Sequence, residues 1–102
     1  MSDYLADVKK YDPEADAAVV DRIVKHLGIA LRNRDSSQVS ASDKKELERV
    51  RDNWAVKKLG ADAAAGEAAV AGAAKTMAAD RTKHRVTFYY LVAKELGKLK
   101  TI

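Results

Sequence analysis

DRTKHRVTFYYLVAKELG, residues 80–97, is the stretch whose reading decides the fold. The run from Val86 to Val92 has the β-branched and aromatic composition of a strand. Its length and periodicity point elsewhere. Val86, Tyr89, Tyr90, Ala93 and Leu96 recur at the spacing of one helical face, which predicts a helix opened by Asp80 or Thr82 and closed at Gly97. Phe88, Leu91 and Val92 occupy much of the remaining circumference. A helix apolar almost all round is usually buried centrally, so this one is expected to be the hub of the core or half of a dimer seam. In the second case Phe88, Leu91 and Val92 form the interaction face.

Working outward, the remaining chain also reads as helices. Ser2 can cap a short first helix with Tyr4, Leu5, Val8 and Tyr11 on its apolar face. Asp12-Pro13 is a helix-start signal, with Asp16 as an alternative cap. Val20, Ile23, Val24, Leu27 and Leu31 then share one stripe, while Ile29 falls opposite, which predicts a break or kink near Gly28. The segment RNRDSSQVSAS, residues 32–42, is the clearest loop. Ser40-x-x-Asp43 resembles a capping box, Ser42 is a second candidate cap, and a helix is expected from Asp43 to Leu59 with Leu47, Val50 and Trp54 on one face. Gly60 suits its end. Ala61 to Ala79 reads as an internal helix whose small side chains permit close helix–helix approach.

The expected architecture is therefore all-α: a single domain over residues 1–102, built as a compact bundle of four to five helices with the C-terminal helix central and residues 98–102 a short tail. The chain has 102 residues and is 47% apolar, but 19 of those residues are alanine, so bulky side chains must be concentrated where the core forms. Cysteine is absent, which removes disulfides, iron–sulfur clusters and thiol catalysis and fits a reducing cytoplasm. The N-terminus has neither the basic start nor the apolar run of a secretory signal, and the longest charge-thin stretch, Ala68–Ala74, is far too short to cross a bilayer. A net charge of +4 is distributed in alternating acidic and basic blocks, acidic over residues 1–21 and basic over 81–102, which suggests that segments pair with one another or with a second copy.

Two stretches, IVKHLGIALRNRDSSQVSASDKKELERVRDNW (Ile23–Trp54) and the opening run continued to Leu99, resemble a family of small bacterial cytoplasmic proteins known as domain of unknown function 2853. The resemblance implies a bacterial source and a compact helical fold. It implies no activity and transfers no catalytic residue.

Chemistry is sparse. His26 and His84 are the only histidines, and neither stands in a metal-binding spacing; His84 sits between Lys83 and Arg85. Ser36 and Ser37 lack a nucleophile elbow or a local base. No catalytic residue, metal, cofactor or small-molecule substrate is expected. Anion binding is better motivated at the helix start near Asp43, where Arg32, Arg34, Lys44 and Lys45 gather, although Asp35 and Asp43 oppose it. The densest basic patch is Arg81, Lys83, His84 and Arg85. Tyr89 and Tyr90 lie one turn on but share the apolar stripe, so stacking on bases is not favoured. The loop before Asp43 is too long for a helix-turn-helix reader.

The expected function is a non-enzymatic helical interaction module able to self-associate or to bind another protein. The alternative is a nucleic-acid or polyanion-binding protein using Arg81, Lys83 and Arg85 with help from Arg34, Lys44 and Lys45.

Overall fold

The computed structural model describes residues 3–28, 38–39, 43–78 and 83–99. They form helices α1 (Asp3–Lys9), α2 (Ala17–Leu27), α3 (Lys44–Arg49, continued as a π-helix over Val50–Lys58), α4 (Ala63–Thr76) and α5 (Arg85–Glu95). The all-α bundle expected from the sequence is the fold. Pairing between extended segments, among the described residues, consists of one antiparallel bridge between Gln38 and His84, closed by Val39 N–H donating to the Lys83 carbonyl at 2.8 Å.

α5 is the central element. Every residue from Val86 to Ala93 is buried, because α1, α2, α4 and the π-helix all pack on it. Strand-like composition loses here to periodicity and to contacts available on every side. The helix starts at Arg85, later than Asp80 or Thr82, both of which lie outside the described residues. His84 is still extended and held in the bridge, so the helix can begin only after it. At the other end Gly97 has φ 68°, Lys98 N–H donates to the Ala93 carbonyl at 2.8 Å and Gly97 N–H to that of Lys94 at 3.0 Å. This is a Schellman closure, and Gly97 supplies the left-handed residue it requires. Leu99 then packs back onto the core, so the expected tail is anchored at its start.

Polar groups inside the core are partnered. Thr87, fully buried on α5, donates its hydroxyl to the Asp7 carboxylate, and Lys10 reaches the same carboxylate at 3.1 Å. Tyr90 donates to Asp12 at 2.6 Å, and Lys94 lies 3.3 Å from the same oxygen. The acidic start of the chain is thus pinned to the C-terminal helix, and no buried side-chain polar atom among the described residues lacks a partner.

Local signals decide the other boundaries. α2 begins at Ala17, not at Pro13: Asp16 is its cap, accepting from Ala18 N–H at 2.9 Å, while Asp12 and Pro13 belong to a separate turn. The helix ends at Gly28, whose φ is 39°, so the break expected there is present. Asp43 itself caps α3 by accepting from Lys45 N–H at 3.0 Å. The alternative caps Ser40 and Ser42 lie outside the described residues.

The helix expected over Asp43–Leu59 is not uniform, since it widens into a π-helix from Val50. The spacing of its core residues explains why. At about 3.6 residues per turn, Val50 and Leu59 would face opposite sides of an α-helix. The wider turn of i→i+5 bonding brings Val50, Trp54, Ala55 and Leu59 to one side, and all four are buried. Leu59 N–H donating to the Trp54 carbonyl at 2.9 Å is one such bond. The alanine-rich segment is helical over Ala63–Thr76, capped by Asp62, and buries Gly66, Ala69, Val70 and Ala73 on one face. An added Cβ at Gly66 would lie 3.1 Å from the Ala55 Cβ, so α4 and the π-helix approach as closely as glycine allows.

Candidate functional site

Of the basic patch expected at residues 81–85, the described residues are Lys83, His84 and Arg85. The bridge to Gln38 fixes the backbone at His84 and leaves Arg85 in the first turn of α5 with its guanidinium turned inward. There it pairs with Glu46 of α3, donates to the Gln38 carbonyl at 3.2 Å and to the Tyr89 hydroxyl at 3.4 Å, and lies 5.8 Å from the Tyr89 ring centroid. Burial alone would lower its pKa. The bonds to Tyr89 and Glu46 outweigh that effect and hold it above the ordinary value. With 12% of its side chain exposed, Arg85 braces α3 against α5.

Arg34 and Arg81 lie outside the described residues. Lys83 is half-buried, with its carbonyl in the bridge to Val39. Lys44 and Lys45 are exposed at the start of α3, but Asp43 already occupies that helix end with its own carboxylate. The residues of the expected interaction face lie inside the bundle. Phe88 and Val92 are fully buried and Leu91 nearly so, all within one chain, so their apolar surface is used by the neighbouring helices.

Below Arg85 an aromatic stack crosses the core. Trp54 lies 4.7 Å from Tyr89 between centroids and donates its indole N–H to the Tyr89 carbonyl at 3.0 Å. The His26 ring lies 5.0 Å from that of Trp54. His26 keeps an edge in solvent. Loss of water on the Trp54 side, with Lys58 nearby, pushes its pKa below the ordinary value. A second ring contact, Tyr4 against His84 at 6.1 Å, fixes α1 near the start of α5. Neither histidine joins a metal-binding group among the described residues.

The surface feature that sequence reasoning missed is a shallow cleft of about 310 Å³ between α3, its π continuation and α4. Leu47, Val70 and Ala71 form its apolar floor, and Lys44, Glu48, Arg51 and Glu67 its rim. Leu47 is half-buried and Ala71 exposed, so the floor meets solvent. The expected stripe of α3 already includes Leu47, but its place beside Val70 and Ala71 depends on how α4 packs.

Residues 3–100 match the family described as "Protein of unknown function (DUF2853)", and the chain belongs to that family. No curated protein matches it. None of the described helices is long and apolar enough to cross a membrane.

Proposed function

We propose that this chain is a non-enzymatic helical interaction module that meets a protein partner through the α3–α4 cleft, in the bacterial cytoplasm that the family resemblance implies. The observation that carries the reading is the cleft itself, an apolar floor open to solvent and rimmed by charges of both signs. Apolar anchors in a groove supply affinity, and a charged rim fixes the partner's orientation. The cleft replaces the α5 face, whose side chains are occupied within the chain. A polyanion fits less well, because Glu48 and Glu67 flank the cleft and Arg85 is engaged with Glu46.

The test places a photo-crosslinking side chain at Ala71 and, as a control, at exposed Glu14 in the turn before α2. In living cells the first position is expected to give a discrete protein adduct that the second does not. Leu47→Glu should abolish that adduct while leaving the circular dichroism unchanged. Absence of any protein adduct specific to position 71 would overturn the reading. An adduct with nucleic acid instead would favour the polyanion alternative.

A further inference from the structure

We infer that residues 3–15 form a strap that opens from α5 as one unit about Asp16 while the bundle of α2 to α5 stays folded, and that acid releases it. Opening bares Thr87 and Tyr90 of α5 to water.

The strap is continuous. Past α1, Lys10 N–H donates to the Asp7 carbonyl at 3.2 Å, and Tyr11 and Asp12 N–H both donate to that of Val8 at 3.0 Å. Ala15 N–H then closes on the Asp12 carbonyl at 3.0 Å. Asp16 follows with extended backbone and already caps α2, so strap and bundle join at one residue. α1 packs chiefly on α5 and α2.

Its apolar hold on them is slight. Val8 and Ala15 are buried, while Tyr4, Leu5 and Tyr11 are only half-buried. Inside the bundle Ile23, Val50, Trp54 and Phe88 are fully buried. The strap's polar ties fall in one row on α5. Thr87, Tyr90 and Lys94 follow one another on a single helical face and meet Asp7 and Asp12. Each of these bonds ends on the strap, so they break together when it lifts. A segment with few buried apolar contacts opens at lower free energy than the core, as a cooperative unit.

Both anchors on the strap are carboxylates. Asp12 faces Tyr90 and Lys94 of α5, and Asp16 at the start of α2 bears on the Tyr90 hydroxyl. Asp7 faces Thr87 of α5 and Lys10 of the strap itself. The hydrogen bond from Tyr90 chiefly holds the Asp12 carboxyl below its ordinary value, and the open strap loses that bond. The closed form is therefore favoured above about pH 4 and loses that advantage as pH falls through the folded value.

The chain has no cysteine, so a thiol introduced at a buried position reports its own exposure. Val8→Cys and Ala15→Cys place one at each end of the strap, and Val50→Cys places one in the fully buried core of the π-helix. Each full-length variant is labelled with dithiodipyridine, which still reacts in acid, and its rate is divided by that of the same thiol in the urea-unfolded chain. The two strap thiols are expected to share one rate at neutrality, faster than that of Val50→Cys. Towards about pH 4 the strap rate should rise while Val50→Cys and the helical circular dichroism hold. Tyr90→Phe, which removes one hydrogen bond to a charged group, should speed the strap thiols about tenfold at neutrality and flatten their acid rise. It should leave Val50→Cys unmoved. Strap and core thiols labelled at one rate in every condition would mean that the chain opens only globally, and would overturn the proposal. Unequal rates at Val8→Cys and Ala15→Cys would show fraying instead of a unit. A strap rate indifferent to acid, or a Tyr90→Phe effect felt equally at Val50→Cys, would also overturn it.

Discussion

α4 and α5 pack against each other, yet they reach the core by opposite means. α5 carries Val86, Phe88, Tyr89, Tyr90, Leu91 and Val92, and is buried on every side. α4 carries alanine and glycine and buries one face only, with Gly66, Ala69, Val70 and Ala73 turned inward. The bulky helix supplies the volume that its neighbours enclose. The small-residue helix supplies proximity, letting its backbone approach the π-helix and leaving Val70 and Ala71 beside an open cleft. In a chain with 19 alanines this division concentrates bulk where it removes the most water.

Substitutions can break this contrast from either side. Phe88→Ala, which removes a fully buried ring, should cost about 3–5 kcal/mol, read as a shift of the urea midpoint. Gly66→Val acts by the opposite mechanism, overpacking. Its Cβ would stand 3.1 Å from Ala55 and 3.2 Å from Arg51 Cγ, and the branch beyond it has no space. A loss of about 1–3 kcal/mol is expected in the same measurement.

The ties between the N-terminal segment and α5 should appear as acid sensitivity. The hydrogen bond from Tyr90 chiefly, with the Glu14 backbone and Lys94 adding to it, outweighs burial and holds the Asp12 pKa below its ordinary value. A carboxylate depressed in the folded state contributes stability above its unfolded pKa and loses it as pH falls through the folded one. Melting temperature should therefore fall below about pH 4 in the wild type, and Asp12→Asn should flatten part of that slope. An unchanged slope would remove Asp12 from the account. The smallest effect belongs to Gly72→Ala. There the added Cβ meets nothing nearer than Glu95 at 3.8 Å, so helix propensity should stabilise α4 by up to about 1 kcal/mol in thermal melts. Opposite signs at Gly66 and Gly72 would separate close approach from propensity within one helix.

Much of the fold was legible because it depends on local period. The apolar positions of α5, the Asp16 cap and the break at Gly28 are all readable within a few residues of sequence. What escaped involves distant partners. Nothing near Arg85 announces Glu46, which lies on another helix, so the partner of this charge could not be read from the sequence. The π-helix escaped for a different reason, since a 3.6-residue template cannot place Val50 and Leu59 on one side. Phe88, Leu91 and Val92 were visible as excess apolar surface, but periodicity does not count how many neighbours a helix will have. The cleft at Leu47 becomes visible only once α4 is known to offer small side chains beside it.

The central claim is that α5 is the element around which the other helices assemble. Native-state amide hydrogen exchange tests it most directly, because protection reports the free energy of the opening that exposes each amide. The slowest amides are expected between Tyr89 and Ala93, with an opening free energy equal to that of global unfolding. The amides of α4 should exchange faster through partial openings. Exchange in α5 as fast as in α4, or faster, would contradict it.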